Sequence, residues 1–145
     1  MEDNKKDKTA ITEDYVSLET AKLLKEKGFD VPCQHFYKFD SDEIYRGTVF
    51  TNSQIGDKFY NAPTLQMAMK WLRLVHGLHI GIHPNSSDPL FYISISKLDY
   101  DEWTSAESDT SLVYTGETIY EKNFASYEDA CEEAIKYCVR KLIKN

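Results

Sequence analysis

His76, His79 and His83 fall within eight positions and form the best candidate cluster for holding a metal. In an extended strand, His79 and His83 share a face with Gly81, while Ile80 and Ile82 take the other. Two imidazoles on one face could grip a metal if a third ligand came from elsewhere. His76, however, falls between Leu65 and Met69 on the apolar arc of a helix. There it is expected to cap the helix C-terminus or fill core, pointing away from the other two. No Cys or carboxylate completes a ligand spacing, so no metal site is expected.

Nucleophilic chemistry has one candidate. Cys33 and His35 are two apart in a predicted strand and share a face, and a thiol beside an imidazole can become a reactive thiolate. Such neighbours arise readily by chance in strands. The sequence contains no GxSxG or HExxH motif, and no glycine-rich loop follows a strand and opens a helix. Acids are plentiful, but spacing alone does not select a catalytic pair. The expectation is a protein with no catalytic residue and no cofactor.

Binding has better candidates. Lys70 and Arg73 lie with Gln66 in a narrow polar strip of a helix, from which they could touch phosphate or a carboxylate. Lys136, Arg140, Lys141 and Lys144 make the C-terminus basic. A solvated helix face accounts for both features more simply. The loop "DYDEWTSAESDT" carries five acids and no base, with Tyr100 and Trp103 on either side of Asp101 and Glu102. Aromatic residues are enriched at binding hot spots, so these four form the candidate protein contact. The alternative is that Trp103 folds back over the edge of the core.

The elements that must position these residues follow from hydrophobic period and punctuation. Residues 1–14 are polar and of mixed charge, and are read as a flexible tail, leaving 15–145 as one domain. A first helix can be capped by Ser17 and stopped by Gly28, with Phe29 packing back on Leu24. "HFYKFD" and "EIYRGTVF" read as an antiparallel hairpin around Ser41-Asp42, and "NSQIGDKFYN" as a connector. A second helix runs over about 64–76, closed by Gly77, with Asn61 or Thr64 as its cap. Its apolar residues Leu65, Ala68, Met69, Trp71, Leu72, Leu74 and Val75 cover most of the circumference, which predicts a buried central helix.

"LHIGIH" and "LFYISISKL" form a second hairpin through the turn-rich "PNSSDP". "SLVYTGETIYEKNF" supplies one more strand, or two around Thr115-Gly116. A last helix opens at Ser126, with Asp129 three residues on. Its predicted core face is Tyr127, Ala130, Cys131, Ala134, Cys138 and Leu142. The expected fold is α+β in the order α-β-β-α-β-β-β-α. An antiparallel sheet of about four to five strands would pack on the central helix, flanked by the N- and C-terminal helices.

With 145 residues and 41% apolar composition, one domain can bury a core without staples. The net charge of −7 opposes broad nucleic-acid affinity, which depends on neutralising phosphates. Three cysteines without CxxC spacing or a signal-like N-terminus suggest reduced thiols in a cytoplasm-like compartment. Cys131 and Cys138 are expected to be buried small hydrophobes. No run approaches the ~20 apolar residues that span a bilayer.

In combination, "VSLETAKLLKEKGFD", "YNAPTLQMAMKWLRLVHGLHI" and "SYEDACEEAIKYCV" resemble a group of small uncharacterised proteins encoded by phages and prophages, especially of gut bacteria. The resemblance covers about Tyr15 to the C-terminus and is most specific in the helix from APT to WLR. It implies a phage or mobile-element origin and brings no activity, cofactor or site residue. The loop 99–110 is longer than the resemblance leads one to expect. The leading expectation is a cytosolic accessory protein that binds a host or phage protein, with its oligomeric state open. One alternative is a nucleic-acid-associated protein using Lys70, Arg73 and the basic C-terminal helix. The other is a small enzyme whose site the sequence hides.

Overall fold

The computed structural model describes residues 11–86, 88–99 and 113–143, with the backbone alone for 98, 99 and 113–121. The chain joins the fold at Asp14, whose carbonyl accepts the Leu65 N–H at 2.9 Å, and Tyr15 bridges to Thr64. Helix α1 (Leu18–Glu26) starts at Ser17, whose hydroxyl accepts the Thr20 N–H. It stops where Gly28 turns left-handed at φ +93°, and the Phe29 N–H closes on the Leu24 carbonyl at 2.9 Å. Both ends are as the cap residues predict.

Strands β1 (Cys33–Lys38) and β2 (Ile44–Phe50) form the expected antiparallel hairpin, with Phe36 opposite Tyr45. The stretch expected as a bare connector instead holds a short helix, α2 (Asn52–Ile55), and a strand, β3 (Phe59–Asn61), which pairs with β1. Tertiary hydrogen bonds hold α2. The Asp30 carboxylate accepts the Ser53 N–H at 2.7 Å and its hydroxyl at 2.9 Å, and Asn52 Nδ2 donates to the Phe29 carbonyl at 2.8 Å. Bonds of this kind satisfy a helix start from outside the segment and leave no hydrophobic period behind.

Helix α3 (Leu65–His76) is capped by Thr64, whose hydroxyl accepts the Met67 N–H at 3.1 Å, and ends at Gly77, φ +66°. Then come β4 (Leu78–Pro84), β5 (Phe91–Asp99) and β6 (Val113–Phe124). The last is one long strand, with Gly116 paired to Lys97 where a turn was the alternative. The C-terminal helix α4 (Tyr127–Tyr137) begins at Ser126, whose hydroxyl accepts the Asp129 N–H at 3.0 Å.

The class is α+β. Among the described residues the strands form two antiparallel sheets, ordered β2-β1-β3 and β4-β5-β6, rather than one sheet of four to five strands. Two expectations about helices are corrected. The helix packed on several sides is α4, which meets α1, α3 and the second sheet. Helix α3 buries one face only: Leu65, Ala68, Met69, Trp71 and Leu72 are buried, while Leu74 and Val75 are 64% and 60% exposed. An apolar circumference shows that a helix can be covered all round, and here no second layer arrives to do so.

The end of α4 is the other correction. Its last turn, Cys138–Leu142, is a π-turn in which the Ile143 N–H reaches the Cys138 carbonyl at 3.1 Å. Ile135 and Val139 join the core face at ordinary helical spacing, and the wider turn then shifts the phase so that Ile143 enters the core while Leu142 stays half-buried. Tyr127 lies at the core's edge, 37% exposed, with its ring edge-on to Phe91. Leu24, Phe29, Leu72, Ile93, Ile95, Ile135 and Val139 are nearly or wholly buried between the helices and the second sheet. Each such side chain contributes about 1.5–3 kcal/mol by leaving water.

Candidate functional site

The candidate nucleophile does not assemble. A register irregularity separates Cys33 from His35: the former pairs with Phe50, the latter with Arg46. The Cys33 thiol contacts the Val31 carbonyl at 3.4 Å, and burial pushes it up to about 11. His35 instead lies against the Tyr15 ring at 4.4 Å. A thiol raised by burial with no cation beside it is the opposite of an activated thiolate. Cys131 and Cys138 are fully buried, as expected, and burial carries them to about 11 and about 12.

The histidines separate as their spacing predicts. His76 packs edge-on to Trp71, ring centroids 4.7 Å apart, and its Nε2 is buried without a partner. Desolvation holds its pKa below the usual value. His79 and His83 stand on the outer face of the second sheet. His83 Nε2 lies 2.9 Å from Ser94 Oγ, with its ring stacked on Tyr92. Gly81 makes that approach possible, because a Cβ there would sit 2.7 Å from His83 Nε2 and 2.8 Å from Ser94 Oγ. The pair has the contact distance of a nucleophile and base. Among the described residues, however, no acid orients the imidazole, and no three potential metal ligands converge.

Lys70 is exposed on α3 and Arg73 is half-buried, nearly one turn further on. The basic C-terminal helix is already engaged: Lys136 lies 3.4 Å from Glu19 and 3.6 Å from Glu133, and Arg140 also pairs with Glu19. Lys136 is the first cause of the lowered Glu19 pKa. Lys136 and Arg140 are therefore held by acids, while Lys144 lies outside the described residues. The acidic contact Tyr100, Asp101, Glu102 and Trp103 lies outside the described residues.

The first sheet carries a surface that the sequence reading did not single out. Tyr37 faces the core, where its hydroxyl donates to the Val16 carbonyl at 2.7 Å. Alternation turns Phe36 the other way. There its ring stacks on Tyr45 at 5.9 Å and meets Phe59 edge-on at 5.8 Å. Next to these rings is a shallow apolar groove of about 240 Å³, lined by Phe36, Gly47, Phe50, Ile55 and Phe59 among others. Gly47 leaves room for the Phe36 ring, which a Cβ would meet at 3.1 Å. Phe50, which lines the groove, is 41% exposed, and its strand neighbour Val49 is 54% exposed. The signal was present in "HFYK": consecutive aromatics in a strand put one ring on each face, and only one face can be core.

No family model matches the chain, and neither a curated protein nor a solved structure matches it. Among the described residues, no helix is long and apolar enough to cross a membrane.

Proposed function

We propose that this is a small accessory protein that acts by binding another protein through the open face of its first sheet, without catalysis. One observation carries the proposal: Phe36, Tyr45 and Phe59 form an aromatic layer on the side away from the core, beside an apolar groove with an exposed rim. Contiguous apolar surface of this kind marks interaction sites on monomeric proteins. The resemblance to phage-encoded proteins supports a partner from the infected cell's cytoplasm or from the phage itself. A nucleic-acid role has weaker support, since Lys136 and Arg140 are paired with acids and the net charge is −7.

The test is capture from host lysate at about 150 mM salt, a concentration that suppresses non-specific phosphate contacts. Wild-type bait is compared with the double variant Val49→Asp, Phe50→Ser. A specific protein recovered by wild type and lost by the variant is the expected result. Recovery of nucleic acid alone, or undiminished capture by a folded variant, would overturn the proposal.

A further inference from the structure

The geometry points to strand addition: an extended peptide segment, alternating apolar and acidic residues, pairs with the free edge of β2 and sets its apolar side chains over the Phe36–Phe59 groove. This rests on the protein-binding reading of the same face and specifies the chemistry of the partner.

Three observations carry it. First, among the described residues β2 is the outermost strand of its sheet and is paired to β1 alone, so one row of its backbone N–H and C=O groups faces away from the sheet. Unpaired edges of this kind recruit extended segments through main-chain hydrogen bonds, and side-chain pockets give the specificity. The irregularity near Cys33 disturbs the far half of β2, where Arg46 and Phe50 pair with residues only two apart on β1. The part from Ile44 to Arg46 lies outside that irregularity and offers the template.

Second, the groove begins just past that regular part, at Gly47, and continues to Phe50 and Ile55. A strand paired along Ile44–Arg46 and continuing in extended form past Arg46 lies over the groove, with every second side chain turned towards that face.

Third, the charges on this sheet favour an acidic partner. Arg46 is exposed on the face opposite the aromatic layer. Lys38 lies over the Tyr45 ring at 4.7 Å, and Lys58 over Phe39 at 5.6 Å. Among the described residues none of these three bases has a carboxylate partner. The local acids Asp40, Asp42 and Glu43 lie beyond the start of β2, towards the turn. An added strand thus meets a free guanidinium in its middle, which selects Asp or Glu opposite Arg46 and apolar residues on either side. A second copy of this chain would bring like bases together instead.

The probe is a capped peptide of about eight residues alternating valine and glutamate, long enough for one strand. Two controls accompany it: the same peptide with lysine for glutamate, and one with a central proline, which cannot donate to the ladder. Binding is followed by fluorescence anisotropy, and its location by hydrogen exchange. The valine–glutamate peptide should bind and slow exchange in β2, and each control should bind at least about tenfold more weakly, a difference of about 1.4 kcal/mol. Arg46→Glu should weaken the peptide roughly threefold to tenfold while leaving tryptophan fluorescence unchanged, the scale of an exposed pair turned repulsive.

Equal binding of all three peptides, protection outside β2, or no binding would overturn the inference. So would tighter binding of oligouridine, or a concentration-dependent dimer of the chain that protects β2. If Val49 and Phe50 govern capture of a cellular protein while no peptide protects β2, strand addition fails and the protein-binding reading stands.

Discussion

Glu132, on α4, accepts the Ser17 backbone N–H at 3.2 Å and both the Ser17 and Thr20 hydroxyls at the start of α1. One carboxylate thus serves the positive end of one helix dipole from the side of another helix. Hydrogen bonds to a charged group contribute about 1.5–3 kcal/mol, so Glu132→Ala should cost about 2–3 kcal/mol, read from the urea midpoint. An unchanged midpoint would show that water replaces the carboxylate freely. His76 gives a prediction in pH. Its folded pKa lies below the ordinary 6.5, so the folded state binds the proton less readily than the unfolded chain. The resulting stability is complete above about pH 6.5 and is lost as pH falls below it. The thermal midpoint should therefore drop between about pH 7.5 and 5.5, and His76→Phe should flatten part of that drop. A His76 ring titrating above 6.5 by NMR would contradict this sign. The position of His76 on an apolar arc was legible from spacing, since helical phase is a local property. The role of Glu132 was not: nothing in the chain links it to Ser17, 115 residues away.

Among the elements, α3 and the end of α4 give opposite lessons about phase. Trp71 packs on Phe29, ring centroids 5.3 Å apart, and is buried, so Trp71→Ala should cost about 3–5 kcal/mol. Leu74→Ala on the exposed side, like Lys70→Ala, should cost under about 0.5 kcal/mol. If Leu74 proved as costly as Trp71, the one-sided packing of α3 would be wrong. At the π-turn, Ile143→Ala should destabilise by about 2–4 kcal/mol and clearly more than Leu142→Ala. The reverse order would mean that the α-helical phase continues. Helix starts at Ser17 and Ser126 and stops at Gly28 and Gly77 could be read directly, because a cap is a local bond, and Thr64 was one of two candidate caps. Helix α2 was half-legible, since Gln54 Oε1 accepts the Thr51 N–H at 2.9 Å, a T-x-x-Q capping pattern. The π-turn left no sign, because an extra residue per turn is imposed by the surface the helix packs against.

At the scale of the whole molecule, the two sheets are held to the core very differently. The second places Leu78, Ile80, Ile93 and Ile95 in the core beneath α4. From β1 and β2 together, Tyr37 is the one residue in the buried core cluster, anchored by its bond to the Val16 carbonyl. Hydrophobic alternation predicted both hairpins equally well, since period reports that a strand has two faces and not how deeply either is buried. Local opening free energy follows buried apolar contact, so the first hairpin should open well before the rest. Native-state hydrogen exchange is the measurement. Amides of β1 and β2 should exchange through a sub-global opening that leaves β5 and α4 closed, with protection at least about tenfold lower than in β5, or about 1.4 kcal/mol. Tyr37→Phe, which removes the bond to Val16 and keeps the ring, should widen that gap without touching β5. Equal protection in both sheets, falling together on denaturant, would instead make the molecule a single cooperative unit. An edge strand offered to partners would then be as rigid as the core behind it, and binding would carry no cost for ordering it.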